Sequence, residues 1–298
     1  MVDLSIIVTT HNERFYLRKL LEQMLPSLRA NMEVIVIDDG STDGSQLLAE
    51  KWAHLDGKFR YVWTRNRGLG AARNLGIDLM MGRFGVFLDV DDELDLGKLW
   101  TNVARDALSD NLDFAMFQSE SYAAKRRLKA RAGEANRYFL KSSKVTESTV
   151  TGHRLATSLV SEKSYSVPAW QYVWRRSFLK DEHIRFEEGV LMEDNLFTFL
   201  IMTRAQKSRF VRSLVHRRLI RDGSIMVDGS AMRHFEGYLS AFIRMVELTS
   251  TEVGQRQAWQ EEVIQGVRWQ LSRTSRTLPA SSIQRALSDA RMECELAG

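Results

Sequence analysis

The run Val86-Phe87-Leu88-Asp89-Val90-Asp91-Asp92 closes an apolar stretch with three carboxylates. Like charges this close repel, and carboxylates so gathered usually share a cation. One chemistry on offer is therefore a divalent metal at the carboxyl end of a strand, where open α/β sheets bind their ligands. The other is a helix cap in a turn, because Asp accepts from the first free amides of a helix and suits its dipole. A cap needs one Asp and this run has three, yet taken alone the segment leaves both readings open.

Further clusters carry groups of similar promise. Asp38-Asp39-Gly40-Ser41-Thr42-Asp43 follows the apolar Val34-Ile35-Val36-Ile37. An Asp there can accept from an N–H of a bound base, Gly40 permits a tight turn, and Ser41 or Asp43 can cap the next helix. Asn66-Arg67-Gly68-Leu69-Gly70-Ala71-Ala72-Arg73-Asn74 has the first two glycines of a dinucleotide fingerprint, but Arg73 stands where the third belongs. That disfavours a nicotinamide or flavin role. A glycine turn opening a helix that carries an arginine suits a phosphate instead. In Glu187-Glu188-Gly189-Val190-Leu191-Met192-Glu193-Asp194-Asn195-Leu196-Phe197, paired acids sit between apolar residues. They read either as a base with a raised pKa or as ordinary helix N-terminal charge. His216, in His216-Arg217-Arg218-Leu219-Ile220-Arg221-Asp222-Gly223-Ser224-Ile225, is either a structural histidine or a ligand beside a diphosphate.

The elements that must position these groups follow from periodicity. Leu4 to Thr9, Val34 to Ile37, Phe59 to Trp63 and Phe84 to Leu88 read as buried strands. Between them lie helical patterns from Asn12 to Leu28, around Leu47, Leu48 and Trp52, and from Ala71 to Met81, the last after a turn at Gly68 to Gly70. This β-α-β-α-β-α-β alternation predicts a parallel sheet with helices on both faces. Thr9, Asp38, Asp39 and Asp89 to Asp92 then share one rim. Leu112 to Gln118 reads as another strand, and Val167 to Phe178 is aromatic and basic. From about Met232 apolar stripes at helical spacing run to Ala290.

The bulk numbers bound the reading. At 298 residues, 44% hydrophobic, the chain suits one large domain or two smaller ones. The formal charge of +4 is too small to choose among anionic substrates, nucleic acid and a membrane face. The basic run 125–131 is a solvated face or a contact for an anionic substrate. No nucleic-acid motif is present, and an acidic rim repels a phosphate backbone, so no nucleic-acid partner is expected. The single cysteine, Cys294, excludes an internal disulfide. Val2 to Thr10 lacks the features of a signal peptide, and no apolar run approaches the roughly 18 residues of a spanning helix. The expected location is cytoplasmic, compatible with peripheral contact at the inner face of a membrane.

Taken together these motifs resemble family 2 inverting glycosyltransferases of the GT-A fold. Ser5-Ile6-Ile7-Val8-Thr9-Thr10-His11-Asn12 is similar to that family's opening strand and loop, with Thr9 for the usual Pro and His11 for the usual aromatic. Val36 to Asp43, Asn66-Arg67-Gly68 with Ala72 to Gly76, the Asp-x-Asp element in Phe87 to Asp92, Glu193-Asp194 with Leu196-Phe197, and Arg221 to Ile225 match its later motifs. The likeness covers about residues 3–226. It implies a catalytic GT-A domain over 1–226, a mostly parallel sheet flanked by helices, with a helical C-terminal extension over 227–298. That extension would pack on the domain, or serve homo-oligomerisation or acceptor docking. The resemblance implies a UDP-sugar donor, a glycan or glycoconjugate acceptor of the cell-surface kind and Mn²⁺ or Mg²⁺. Thr9, Asn12 and Asp39 would line the nucleoside pocket, Asn66 and Arg73 hold uridine and diphosphate, and Asp89 and Asp91 form the Asp-x-Asp pair. Asp91 would be the direct metal ligand. His216 would complete the metal shell or meet the diphosphate, and Asp194 would be the general base. Asp92, Glu193, Trp170 and Trp174 would contact donor or acceptor sugar. The alternative is a nucleotide-sugar-binding module without catalysis.

Overall fold

The computed structural model describes residues 1–55, 57–139, 144–222, 230–251 and 256–297. Its first part runs β1 (Leu4–Thr10), α1 (Arg14–Met24), β2 (Met32–Asp38), α2 (Ser45–Leu55), β3 (Phe59–Trp63), α3 (Leu69–Leu79) and β4 (Phe84–Asp89). These four strands pair in parallel, with β1 between β2 and β4. Then come β5 (Glu93–Leu94), a helical stretch over 96–109, β6 (Phe114–Tyr122), α4 (Lys129–Phe139), α5 (Gly152–Ser161), β7 (Tyr172–Arg175), α6 (Asp194–Arg204) and β8 (Ser208–Leu219). Among the described residues the sheet order is β3-β2-β1-β4-β7-β6-β8-β5. β7 is antiparallel to both neighbours and β5 is antiparallel to β8, so the sheet is mixed beyond β4.

Element boundaries differ from the periodic reading where local chemistry intervenes. The first helix starts at Arg14 and tightens into a 3₁₀ turn at Leu25–Ser27, where Pro26 cannot donate to the preceding turn. α3 starts at Leu69 rather than Ala71, because Gly68 at φ 92 is its cap and Gly70 is already helical. The strand expected at Leu112 begins at Phe114 and extends to Tyr122.

Alternate residues of each buried strand feed two separate cores. Ile7, Ile35, Ile37 and Phe87 face α3 and α6, while Ile6, Val8, Val34, Val36, Val86 and Leu88 face α1 and the 96–109 stretch. Each fully buried side chain of this size contributes about 1.5–3 kcal/mol. Polar groups sit towards the strand ends: Ser5 and Glu33 near the start, joined by a hydrogen bond of 2.5 Å, and the rim residues at the carboxyl ends.

The C-terminal part comprises α7 (Ala231–Thr251), α8 (Ala258–Ser275) and α9 (Ala280–Ala297). Ala241, Met245, Trp259, Ile264 and Val267 join the same core as Phe197 and Phe199, so α7 and α8 pack on the sheet domain. Ala286 of α9 packs on Phe235 and Leu239 of α7 instead. The expected boundary at 226/227 and the Gly223-Ser224-Ile225 part of the last motif lie outside the described residues. No helix among the described residues is long and apolar enough to cross a membrane.

Candidate active site

The parallel register brings the polar strand ends together. Thr9 is level with Ile37 on one side and Asp89 on the other, and Thr10 is level with Asp38. The loops beyond are stapled to each other. Asn12, at φ 55, accepts from the Thr42 amide (2.8 Å), while its own amide donates to Ser41 Oγ (2.8 Å). Asp43 accepts from the amides of Arg14 (2.8 Å) and Ser45 (3.0 Å), and so serves the starts of both α1 and α2.

The two adjacent aspartates divide the work. Asp38 is fully buried and accepts from the Ser41 amide and the Tyr61 hydroxyl, both at 2.7 Å. Asp39 accepts from the amides of Arg67 and Gly68, each at 2.8 Å. It thereby sets the turn that opens α3, where Gly68 occupies a left-handed conformation that suits glycine. Gly40 permits a close pass, since a Cβ there would lie 2.9 Å from the Asn66 amide nitrogen. Asn66 and Asn12 are exposed beside His11, so Thr9, Asn12, Asp39 and Asn66 line one end of the rim.

The acid cluster is split among three partners. Asp89 accepts from Arg73 Nη2 at 3.1 Å. Asp91 accepts from Arg221 Nε at 2.6 Å, and the same guanidinium donates to Glu13 and lies over the Tyr16 ring. Asp92 is buried and accepts from the Leu219 amide at 2.8 Å. Burial, then the charges of Asp92 and Asp89, push Asp91 up to about 6 against the pull of Arg221. Burial also lifts Asp92 well above the carboxylate range. His216 Nε2 lies 3.1 Å from Asp92 Oδ2, yet off the hydrogen-bonding direction; neither ring nitrogen has a hydrogen-bond partner among the described residues. Burial holds this imidazole neutral, its pKa down to about 3.

Arg73 is the centre of the second half. It is fully buried, and its Nη1 donates to Asp194 Oδ1 (2.5 Å) and Glu193 Oε1 (2.9 Å) while Nη2 reaches Asp89. Its guanidinium lies over the rings of Phe186 and Phe87 at 5.3 and 5.7 Å. Burial alone would lower its pKa, and the three carboxylates outweigh that. Burial and then Asp194 push Glu193 up to about 7 despite Arg73. Asp194 is raised by burial and Asp89, and restrained by Arg73 and the Ala169 amide. It is one-fifth exposed, Glu193 much less.

Three sequence expectations change here. Arg73 was expected to hold uridine and diphosphate; its guanidinium is committed to Asp89, Glu193 and Asp194 instead. Trp174 was expected to stack on a sugar but is fully buried, filling the space over Gly85 and against Phe87. Trp170 is also buried and stacks on His216 with ring centroids 4.1 Å apart, so it backs the imidazole rather than presenting a face to a ligand. Glu13, Phe186 and the Arg67–Glu188 pair (2.5 Å) were missed. No local signal marks Glu13, which meets Arg221 from 208 positions away. The basic run proves partly spoken for, as Lys125 and Arg127 pair with Asp222 at 2.7 and 2.6 Å.

The donor chemistry bears on a divalent cation. Glu13, Asp89, Asp91, Asp92, Glu193 and Asp194 outnumber Arg73 and Arg221, the guanidinium groups paired among them. Burial first, and then neighbouring carboxylates, raises Glu13, Asp91, Asp92, Glu193 and Asp194. No ready-made cage of three His, Cys, Asp or Glu donors exists among the described residues. A cation held by one or two carboxylates and otherwise by phosphate oxygens and water needs none. Asp91 and Asp89, one or two carboxylates on the rim, are donors of the kind such an ion takes. A separate groove of about 460 Å³ between α1 and the β5–β8 edge contains none of the rim residues above.

A glycosyl transferase family 2 model matches residues 5–166, more than half of the chain and including the whole acid rim. The chain belongs to glycosyltransferase family 2. It is 25% identical over 222 residues to the glycosyltransferase GlyA of Streptococcus pneumoniae, covering 74% of this chain and 31% of that one. Against the glycosyltransferase YibD of Escherichia coli the identity is 25% over 222 residues, 74% of this chain and 62% of the other. The chain thus spans less than two thirds of the length of these family relatives. S. aureus TarS 1-349, solved with UDP-GlcNAc, superposes with a TM-score of 0.71 at 21% identity, covering 97% of this chain and 80% of that one. That likeness shows the fold, which is the family's GT-A type.

Proposed function

We propose that this chain is an inverting glycosyltransferase that moves a sugar from a UDP-sugar to a hydroxyl of an acceptor glycan or glycoconjugate, with Asp194 as general base. The observation that carries the reading is the single buried guanidinium of Arg73, which ties Asp194 at 2.5 Å to Asp89 at 3.1 Å. A proton acceptor is thereby fixed beside the acid rim. What supports the donor class is the likeness to TarS, whose structures are described with UDP-GlcNAc and with UDP. A more distant mannosyltransferase from Pyrobaculum calidifontis (TM-score 0.60, 15% identity) is described with GDP-Man and Mn²⁺.

In this reading Thr9, Asn12 and Asn66 border the nucleoside, and Asp39 holds the glycine turn while its remaining lone pairs accept from the base. Asp91, with Asp89 and His216, would hold Mn²⁺ or Mg²⁺, which when bound offsets charge on the leaving diphosphate. Asp194 takes the proton of the acceptor hydroxyl as the new O–C1 bond forms and the C1–O bond to UDP breaks. Attack from the face opposite the diphosphate inverts the anomeric carbon. A raised pKa makes Asp194 a stronger base than a free carboxylate. Glu193 sits behind it on the same guanidinium and is a positioning residue rather than a sugar contact.

A thermal-shift screen of UDP-sugars with Mn²⁺ selects the donor, because a ligand of the folded state raises apparent stability. UDP release with that donor then measures turnover. Asp194→Asn is expected to lower kcat by about a hundredfold or more with donor affinity retained. Unchanged turnover removes Asp194 from the base role. Donor binding without turnover by the wild type favours a binding module. Activity indifferent both to EDTA and to Asp91→Ala removes the metal from the scheme.

A further inference from the structure

The segment that delivers Asp194 is gripped from two sides. On the α3 side, a Cβ on Gly70 would fall 2.4 Å from the carbonyl oxygen of Glu187. On the α7 side, a Cβ on Gly237 would fall 1.8 Å from the carbonyl oxygen of Leu191, and Ser240 Oγ donates to Glu187 Oε1. Neither position has room for a side chain. Between these contacts the chain turns through Met192 at φ 64, a left-handed conformation that a side chain makes unfavourable. Such a residue persists when its surroundings over-determine it. Asp194 follows two positions later.

We propose that α7, from the C-terminal helices, is a positioning element of the active site: Gly237 and Ser240 hold the 187–192 turn and so set where Asp194 stands against Arg73 and Asp89. The inference rests on Asp194 as the base. It assigns the C-terminal part of the chain a task beyond packing. The core contacts of Ala241 and Met245 anchor the helix, and its preceding turns carry the two groups that touch the base-bearing segment.

The test uses the full chain and the donor selected above. Gly237→Ala is expected to lower kcat by about a hundredfold, the scale of a base displaced by about 1 Å, with donor KM and UDP affinity held within about twofold. Ser240→Ala should lower kcat by roughly fivefold, with Ser240→Thr restoring it, as expected for one lost hydrogen bond. Amide exchange in 187–194 should quicken in both variants while exchange in β1 and β2 stays unchanged. Gly266→Ala in α8, where nothing lies within 4 Å of the added carbon, is the control with kcat unchanged. The proposal is overturned if Ser240→Ala keeps the wild-type kcat and exchange pattern, which decides the matter even where Gly237→Ala does not fold. It is equally overturned if the variants lose only melting temperature, or if KM moves and kcat does not. An unchanged kcat in Asp194→Asn sinks the base reading instead, whatever the α7 variants do.

Discussion

Replacing Glu193 by Gln isolates the electrostatics of the Arg73 cluster. Glu193 is buried and accepts from Arg73 Nη1 at 2.9 Å. Burial and Asp194 raise its pKa from an ordinary 4.5 to about 7. The folded chain therefore holds a proton between these values that the unfolded chain has released. Stability falls as pH rises wherever the folded state binds more protons. At about 1.4 kcal/mol per unit, the full interval is worth about 3 kcal/mol. Gln mimics the protonated acid at every pH, and its amide oxygen can still accept from Arg73. The variant should match the wild type near pH 4.5, gain on it steadily to pH 7, and exceed it by about 3 kcal/mol at pH 8. Urea denaturation followed by tryptophan fluorescence at half-unit steps from pH 4.5 to 8 reads the difference directly. Parallel curves for the two proteins would refute the reasoning, because the proton would then be equally bound in both states. A variant less stable at pH 8 would show that the ion pair with Arg73 outweighs the cost of burying the charge.

Other perturbations test neighbouring parts of the site. Arg73→Met strands three carboxylates around a buried gap and should cost about 3–5 kcal/mol by denaturation, and Arg73→Lys should not restore it, since one ammonium lacks the guanidinium fork; a loss below 1 kcal/mol would contradict the cluster. Asp39→Asn turns one acceptor of the Arg67–Gly68 turn into a donor, so UDP affinity by calorimetry should weaken by about tenfold or more, the equivalent of about 1–3 kcal/mol. Gly85→Ala places a carbon 2.4 Å from the Trp174 ring. It should destabilise by about 1–3 kcal/mol with donor KM unchanged; a shift in KM instead would return Trp174 to the sugar site.

The Arg221 bridge bears on the proposed metal site through the same charge surplus. Asp91 is already paired with a cation, Arg221, which also binds Glu13. A divalent ion at Asp91 must compete with that guanidinium or share the carboxylate with it. Arg221→Gln is therefore expected to strengthen Mn²⁺ binding while leaving Glu13 unpaired, and calorimetry with Mn²⁺ plus UDP measures the first effect. Weaker Mn²⁺ binding in that variant would mean that Arg221 serves the site by orienting Asp91 rather than by competing for it.

Local sequence determined the strands, the parallel half of the sheet and the rim. Runs such as Leu4 to Thr9 and Val34 to Ile37 must be buried on both faces, and their polar residues must fall at the ends, so the strand pattern alone puts Thr9, Asp39 and Asp89 on one edge. The family motifs went further and pointed to Asp194 as the base that the proposed function takes up. What sequence patterns did not carry is the assignment of partners. Arg73 looked like a phosphate ligand because a glycine turn and a helix start lie beside it; only packing reveals that it is sealed under Phe186 and spent on carboxylates 16, 120 and 121 positions away. Trp170 and Trp174 carry the same residue type as sugar platforms, and burial is a property of what covers them. Gly237 and Ser240 sat in a helical stripe with no chemical signature. Periodicity reports which face of a segment is dry, a local quantity. Which charges meet across the sheet depends on how the layers close, and only the tertiary structure decides that.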